Sequence, residues 1–222
     1  MIHDSRLLQT VSAPSRQMSI AAVLLAAGQS RRMGAFKPLL PFGGRSVAEA
    51  CVNNLLAGGV EEIVCVVGHR GAEVREQLEQ LPIRFAVNDD AESEMGVSIG
   101  RGIEQVSADA EAVFIALVDQ PAIPPEVIGF LIAERARKGA RLVVPVYEGR
   151  GGHPVLIDLM FRKELMNLDP QRGLRALFDA HREEVLRLPV SSPYVARDMD
   201  RWDDYRALYL EIFGTEPGNS RQ

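Results

Sequence analysis

An apolar run that leads directly into a loop with two glycines and fixed positive charges is the feature that most restricts what this chain can fold into. Residues 21–26 read Ala-Ala-Val-Leu-Leu-Ala, and residues 27–37 read Ala-Gly-Gln-Ser-Arg-Arg-Met-Gly-Ala-Phe-Lys. Small residues let backbone N–H groups approach an anionic oxygen, and Arg32 and Lys37 can neutralise a polyphosphate. The pattern predicts a buried strand that ends in a phosphate-binding loop. The alternative is an ordinary strand-to-helix turn with solvated arginines.

The spacing within this loop excludes two widespread nucleotide-binding motifs. A Walker loop has four residues between its glycines and then Gly-Lys-Ser/Thr, whereas five residues separate Gly28 from Gly34, and Lys37 follows three positions later. A dinucleotide fingerprint needs three closely spaced glycines, which the loop lacks. The remaining pattern over 25–37, L-A-A-G-x-S-x-R-M-G-x-x-K, resembles the signature of nucleotidyltransferases, which move a nucleoside monophosphate from an NTP to an acceptor.

The composition is that of a globular protein whose anion binding must be local. The 222 residues are 46% hydrophobic and 25% charged, with a formal net charge of −5, so we expect neither a nucleic acid nor a membrane as partner. The sequence has no apolar stretch near the roughly 18–20 residues that span a bilayer, and 1–17 lacks a secretory core; we expect a cytoplasmic location. The two cysteines and four histidines form no metal-ligand motif, so any metal is expected to be oxygen-bound.

Apolar runs alternate with helical patterns along the chain. This alternation predicts an α/β fold, a three-layer α/β/α sandwich with a mostly parallel sheet. The predicted strands are 21–26, 62–67, 83–87, 112–118, 141–147, an extended 153–157, and 185–189. The predicted helices are 46–57, 72–80, 97–106, 125–138, 159–167, 173–181 and 202–213. We expect one folding unit over 18–213, a loose tail over 1–17 and a frayed end over 214–222.

Asp119 follows the apolar run 112–118 and therefore lies at the carboxyl end of a strand, as the loop 27–37 does. Ligands of open α/β sheets bind at that edge, so we expect the loop and Asp119 to converge there. Nucleotidyl transfer requires a neutralised triphosphate, for which Mg²⁺ with one or two carboxylate ligands is sufficient. Asp119 is the first candidate ligand, although an aspartate close to a proline also caps turns.

A second carboxylate is expected from the acidic segment 197–205, immediately before the last predicted helix. We select Asp200 from its four aspartates. The alternative is a helix N-terminus at which acidic side chains interact favourably with the helix dipole.

Four motifs carry a resemblance to a known family. They are Leu25-Ala26-Ala27-Gly28, Ser30-x-Arg32-Met33-Gly34-x-x-Lys37, Leu117-Val118-Asp119-Gln120-Pro121 and Gly152-His153-Pro154-Val155. On these motifs the span 18–213 resembles the MobA-like NTP transferases, in particular their molybdenum cofactor cytidylyltransferase branch, which implies a Rossmann-like nucleotidyltransferase fold. The chain departs from the family's pattern at Arg201-Trp202, where Thr-Pro is usual. The related guanylyltransferases have Leu-Ala-Gly-Gly at the first motif, so the methyl group of Ala27 should favour a pyrimidine over guanine.

The resemblance implies transfer of CMP from CTP to the terminal phosphate of molybdopterin that carries molybdenum, with release of pyrophosphate. It implies Arg32, Lys37 and Asp119 as catalytic residues and Asp119 and Asp200 as ligands of Mg²⁺. The implied nucleotide-binding residues are Leu25, Ala26, Ala27, Gly28, Ser30, Arg32, Gly34, Lys37, Asn88, Gly96 and Ser98.

Two assignments leave a structural alternative open. The segment 88–100 resembles a serine-rich family loop only in part, and Gly96 and Ser98 also suit a plain helix entry. His153 follows a glycine-rich turn, and we interpret it as an acceptor-binding residue beside a mobile, open loop; a buried structural histidine is the alternative.

The product of this reaction would pass to a molybdenum hydroxylase or its chaperone. Alternative functions are transfer from another NTP such as GTP, transfer to another small phosphorylated acceptor, and a nucleotide-binding accessory role in hydroxylase maturation. A redox enzyme on the same scaffold is a further alternative, although the sequence shows no nicotinamide or flavin fingerprint.

Overall fold

The computed structural model describes residues 19–90 and 92–218. The strands are β1 (Ile20–Ala26), β2 (Pro41–Phe42), β3 (Arg45–Ser46), β4 (Glu62–Val67), β5 (Arg84–Val87), β6 (Ala112–Leu117), β7 (Leu142–Tyr147), β8 (Arg150–Gly151), β9 (Val155–Asp158) and β10 (Val185–Pro189). The α-helices are α1 (Val47–Ala57), α2 (Gly71–Gln77), α3 (Met95–Gln105), α4 (Pro125–Lys138), α5 (Arg162–Leu165), α6 (Leu174–Ala180) and α7 (Trp202–Phe213). Within these residues no helix is long and apolar enough to cross a membrane.

The main sheet has the order β10-β7-β9-β6-β1-β4-β5, and β8 pairs with β7. Pairing is parallel between β1 and both of its neighbours, between β4 and β5, and between β10 and β7. Only β8 and β9 run against the other strands of this sheet. The mostly parallel sheet predicted from the alternating pattern is therefore confirmed.

Helices cover both faces of the sheet, and β1 is buried over its whole length. Ala22 and Leu24 belong to one core, which also contains residues of α1, α2, α4 and α7. Ala21, Val23 and Leu25 belong to a second core with residues of α3, α5 and α6. A strand buried on both faces has to be apolar at every position, which explains why the run is continuous rather than alternating. The three-layer sandwich is confirmed.

Several elements differ from the predicted boundaries. The helix predicted over 159–167 is a 3₁₀ turn, Leu159–Phe161, followed by the single turn α5. Asp158 caps the 3₁₀ turn, and the Arg162 guanidinium donates to the Ile103 carbonyl in α3 and to the Val106 and Ser107 carbonyls just after it, the last at 2.6 Å. The hairpin of β2 and β3 was not predicted, because each of its strands has only two residues. The tail predicted over 1–17 and residues 219–222 lie outside the described residues.

The strands β1, β4, β5 and β6 end at one edge of the sheet. β1 lies between β6 and β4. The chain continues from β1 to β4 and β5 on one side of it and then crosses to β6 on its other side, so the strand order reverses at β1. A crevice forms at such a switch in strand order, and it is the usual ligand site of an open α/β sheet. The loop after β1, Asn88 after β5 and Asp119 after β6 are placed at this edge by the topology alone.

Candidate active site

The loop after β1 is held in a compact turn through Ser30. The backbone N–H of Met33 donates to the Ser30 carbonyl at 3.0 Å, and that of Lys37 donates to Ser30 Oγ at 3.1 Å. Ser30 and Gly34 have φ values of +53° and +70°, a region that glycine enters without cost but serine enters at roughly 1–2 kcal/mol. A methyl group on Gly28 would meet no atom within 4 Å. Gly28 therefore borders open space that a ligand can fill.

Lys37 lies between two carboxylates that come from distant parts of the chain. Its Nζ donates to Asp119 Oδ2 at 3.1 Å and to Asp200 Oδ1 at 2.9 Å. The Lys37 side chain is only 10% exposed. Arg32, on the surface, donates to Asp200 Oδ2 at 2.8 Å. The two cations and two carboxylates form one connected cluster at the rim of the sheet, and we call these four residues the charge cluster.

Asp200 reaches the charge cluster because its segment is tied to the end of β6. The backbone N–H of Met199 donates to the Asp119 carbonyl at 3.1 Å. On the far side of Asp200, α7 packs its aromatic side chains on the β2–β3 hairpin, and the Tyr205 hydroxyl donates to the Pro41 carbonyl at 2.7 Å. The hairpin follows Lys37 directly, so the same contacts fix both partners of the ion pair.

Burial sets the protonation behaviour of the two carboxylates. Desolvation raises the pKa of Asp119, and the neighbouring Lys37 ammonium offsets only part of this increase. The hydrogen bond from Lys37 lowers the pKa of Asp200, which is more exposed and also faces Arg32. Although both carboxylates contact the same ammonium, their pKa values shift in opposite directions because Asp119 is the more buried group.

Two cavities meet at the charge cluster. The first, of about 270 Å³, lies at the ends of β1, β5 and β6, and it is lined by Leu25, Ala27, Gly28, Gln29, Ser30, Lys37, Asn88, Asp90, Ser93, Met95, Ser98, Leu117, Val118 and Asp119. The second, of about 320 Å³, is lined by Gln29, Ser30, Arg31, Arg32, Lys37 and Asp200. They share Gln29, Ser30 and Lys37. A partly apolar cavity that opens into a cationic one suits a ligand with a planar end and a polyanionic end.

Comparison with known proteins decides the family. Residues 22–185 match the model of the MobA-like NTP transferase domain. This chain belongs to the MobA-like NTP transferase family. Both the Lys37 loop and Asp119 lie within the matched residues, whereas Asp200 lies beyond them.

Proteins with different names resemble this chain. It is 33% identical to nicotine blue oxidoreductase of Paenarthrobacter nicotinovorans over 151 residues, which are 64% of this chain and 72% of that protein. It is 26% identical to molybdenum cofactor cytidylyltransferase of Escherichia coli K12 over 201 residues, 87% of this chain and 99% of that protein. The crystal structure of Rv0371c from Mycobacterium tuberculosis H37Rv superimposes with a TM-score of 0.77 at 28% identity, covering 86% of this chain and 97% of that one. A manganese complex of Rv0371c gives a TM-score of 0.74 at 26% identity, covering 86% and 98%.

Most of the predicted site residues lie at the two cavities. The cavities bring together ten of them: Leu25, Ala27, Gly28, Ser30, Lys37, Asn88, Ser98 and Asp119 in the first, and Arg32 and Asp200 in the second, beside the shared residues. Asn88 has a local task as well. Its Nδ2 donates to Ser93 Oγ and Ser98 Oγ, both at 2.8 Å. Asn88 thus orients the hydroxyl groups of the cavity wall.

Four predicted residues line neither cavity in the described part of the chain. Ala26 is buried in β1, and Gly34 serves the turn through its positive φ. Gly96 lies in the first turn of α3, where an added methyl group would make an ordinary contact, 3.4 Å, with the Leu168 side chain. The expectation that His153 stands beside an open loop is corrected: it is partly buried, and desolvation lowers the pKa of its imidazole. Acceptor binding by His153 stays a prediction.

Sequence reasoning missed several cavity residues. Asp90, Ser93 and Met95 line the first cavity. They belong to the segment 88–100, in which the partial family pattern indicated only Asn88, Gly96 and Ser98. Gln29 lies between Gly28 and Ser30 in the predicted loop, so its position alone would have indicated that it lines the cavity. Gln120 lies in the motif 117–121, but its side chain contacts Val195 and Asp198, which are distant in sequence and leave no local pattern.

The residues present fit a divalent cation coordinated by oxygen. Asp119 Oδ1 is buried and has no hydrogen-bond partner among the described residues, and such an atom is normally satisfied by water or an ion. No cluster of three or more histidine, cysteine or acidic residues that could hold a metal occurs within 19–90 and 92–218. Two carboxylates without a third protein ligand suit Mg²⁺ or Mn²⁺, which complete their coordination with water and phosphate oxygens. Nucleotidyltransferases of this family typically use a divalent metal.

Proposed function

We propose that this protein transfers CMP from CTP to the terminal phosphate of molybdenum-loaded molybdopterin, releasing pyrophosphate, in a reaction that depends on Mg²⁺. The contact of Lys37 with both Asp119 and Asp200, at the mouth of a cavity that can accept a base, is the observation that carries the proposal. A cationic side chain beside two carboxylates that would hold a divalent cation suits the binding of a metal-bound polyphosphate.

The chain's own residues supply alignment and charge neutralisation. An oxygen of the acceptor phosphate attacks the α-phosphorus of CTP, and the bond from that phosphorus to the bridging oxygen of the β-phosphate breaks, so the electron pair leaves on pyrophosphate. Lys37 and Arg32 neutralise the charge that grows on the leaving group. Asp119 and Asp200 would hold the divalent cation, which supplies Lewis-acid stabilisation to the phosphate oxygens when bound. A phosphate acceptor is already ionised at neutral pH, so no general base is required.

Two observations support CTP as the nucleotide and molybdopterin as the acceptor. The methyl group of Ala27 lines the first cavity at the position where guanylyltransferases have glycine, which leaves less room for a purine. The cytidylyltransferase of Escherichia coli aligns over 87% of this chain and 99% of its own length, so the likeness extends over almost the whole of that protein.

The test is pyrophosphate release with each of the four NTPs, with and without molybdenum-loaded molybdopterin, alongside mass spectrometry of the dinucleotide product. We expect release only when CTP, Mg²⁺ and the acceptor are all present. The Asp119→Asn variant should abolish it, while Asp109→Asn, an exposed aspartate before the other end of β6, should behave as the wild type. Release with GTP instead would overturn the base assignment, and tight nucleotide binding without release would favour an accessory role.

Redox chemistry is a second candidate, favoured by the 33% identity with a protein named nicotine blue oxidoreductase. Hydride transfer from NADH or NADPH to a heterocyclic substrate would consume the reduced nicotinamide without releasing pyrophosphate. Absorbance of the reduced nicotinamide and pyrophosphate, followed in the same reaction, separates the two candidates. Consumption of NADPH that survives Asp119→Asn and Lys37→Met would favour the redox function.

A further inference from the structure

Asp200 lies in a segment with little regular structure, so its position depends on individual contacts. The 3₁₀ helix Pro193–Ala196 precedes it, and α7 begins two residues after it. The segment also lies outside residues 22–185, which match the family model. Hydrogen bonds from neighbouring elements must therefore hold the Asp200 carboxylate opposite Asp119.

Gln120, the residue after Asp119, reaches this segment with its side-chain amide. Its Nε2 donates to Asp198 Oδ1 at 2.8 Å and to the carbonyl of Val195 at 3.4 Å. Gln120 is only 4% exposed, so water competes little for these hydrogen bonds, and they are stronger than on the surface. The backbone N–H of Met199, the residue after Asp198, donates to the carbonyl of Asp119, the residue before Gln120. Side chain and backbone thus clamp residues 195–199 onto the end of β6.

The turn at Gly152 and His153 holds the same segment from the other side. The backbone N–H of His153 donates to the Val195 carbonyl at 2.8 Å. A methyl group on Gly152 would stand 1.9 Å from that carbonyl oxygen, closer than any side chain allows. Only glycine permits this approach, so the motif that suggested acceptor recognition contacts the segment through its backbone.

We propose that Gln120 is a positioning residue, which sets Asp200 opposite Asp119 through its hydrogen bond to Asp198. The backbone contacts of Gly152 and His153 with Val195 hold the same segment from the other side. The inference rests on the proposed function in one respect, namely that Asp200 matters there as a ligand of the divalent cation. Gln120 itself lines neither of the two cavities at the charge cluster. Partners that orient metal ligands typically change metal affinity by about 10–100-fold when they are removed.

The test compares Gln120→Met with a matched control, Gln80→Met, which lies in an exposed turn after α2. Mn²⁺ is titrated against each protein by electron paramagnetic resonance, with and without CTP. We expect the dissociation constant for Mn²⁺ to rise roughly 10–100-fold in Gln120→Met and to stay at the wild-type value in the control. Backbone amide exchange at Met199, measured without any ligand, should become faster in Gln120→Met alone.

The Gln120→Met variant should keep its fold, because methionine has nearly the volume of glutamine. The substitution also removes Gln120 Oε1, a buried oxygen that has no hydrogen-bond partner among the described residues. A second pair of variants keeps the test decisive. Asp198→Asn retains an acceptor oxygen for Gln120 and should keep the affinity for Mn²⁺, whereas Asp198→Ala should lose it as Gln120→Met does.

The outcomes separate this inference from the proposed function. If the wild type transfers no CMP, Mn²⁺ binding and the exchange at Met199 still report on the clamp. If Gln120→Met binds Mn²⁺ and exchanges Met199 as the wild type does, the positioning role is wrong even when the wild type is an active cytidylyltransferase. An equal decrease for Asp198→Asn and Asp198→Ala would show that the charge of Asp198, rather than its hydrogen bond, is what matters, and would also overturn the inference.

Discussion

Replacing Lys37 with methionine should leave the carboxylates of Asp119 and Asp200 without the ammonium that lies between them. Both contact the same Nζ, at 3.1 and 2.9 Å. The two oxygens are therefore no farther apart than these distances laid end to end, about 6.0 Å. The variant should lose both activity and stability, for separate reasons that can be measured separately.

Coulomb's law gives the size of the stability loss. Two unit charges at this separation repel by about 3 kcal/mol at an effective dielectric constant of about 20. The Asp200 side chain is 45% exposed, so solvent screens part of this repulsion, and we expect a loss of about 1–3 kcal/mol at pH 7. That corresponds to a decrease in melting temperature of roughly 2–10 °C for a domain of this size. The loss of one preorganised cation should lower kcat by about 10²–10³-fold.

Thermal and urea unfolding at pH 7 test the stability claim, with Lys163→Met, an exposed lysine in α5, as the matched control. Adding Asp119→Asn to Lys37→Met should recover most of the lost stability, because the repulsion disappears. Mn²⁺ without nucleotide should stabilise Lys37→Met more than the wild type, since the ammonium no longer occupies the space between the carboxylates. If Lys37→Met unfolds at the wild-type temperature and Asp119→Asn has no effect on it, the electrostatic reasoning is wrong.

Three further predictions concern neighbouring groups. Arg32→Ala should lower kcat/KM for CTP without changing the melting temperature, because Arg32 is 75% exposed and exposed ion pairs contribute little to stability; an unchanged kcat/KM would remove Arg32 from the mechanism. Asp119→Asn should abolish turnover. It should also gain stability relative to the wild type as the pH rises above the usual carboxyl range, because burial raises the pKa of Asp119 and its ionisation therefore costs folding free energy. A relative gain in stability on acidification would show that the pKa of Asp119 is lowered by folding instead. Ala27→Gly should raise kcat/KM for GTP relative to CTP, and an unchanged ratio would show that Ala27 does not select the base.

Continuous apolar runs allowed much of the fold to be predicted. The strand at 62–67 has the predicted bounds, and β1 and β6 differ from theirs by one residue. Strands buried on both faces leave a clear signal in the sequence because every position has to be apolar. The β2–β3 hairpin left a weak signal, since only Gly43 and Gly44, both with positive φ, mark its turn. Its stability comes from packing against α7, which no local pattern reveals.

The site was predictable where it depends on strand ends and was not where it depends on tertiary contacts. Lys37 and Asp119 follow strands that neighbour each other in the sheet, so topology brings them together. That Lys37 joins Asp119 to Asp200 depends on how residues 195–200 pack, and this packing is set by Gln120 and by the turn at Gly152. His153 was predicted to be an open binding residue because its main contact is also distant in sequence. Val195, whose carbonyl accepts a hydrogen bond from the His153 backbone N–H, lies about forty residues later.

A crystal structure with CTP and Mn²⁺, phased to show the anomalous signal of manganese, tests the central claim most directly. We expect one manganese peak bonded to carboxylate oxygens of Asp119 and Asp200, with the triphosphate against Lys37 and Arg32 and the cytosine in the cavity beside Ala27. A manganese ion or a triphosphate bound away from these side chains would contradict it.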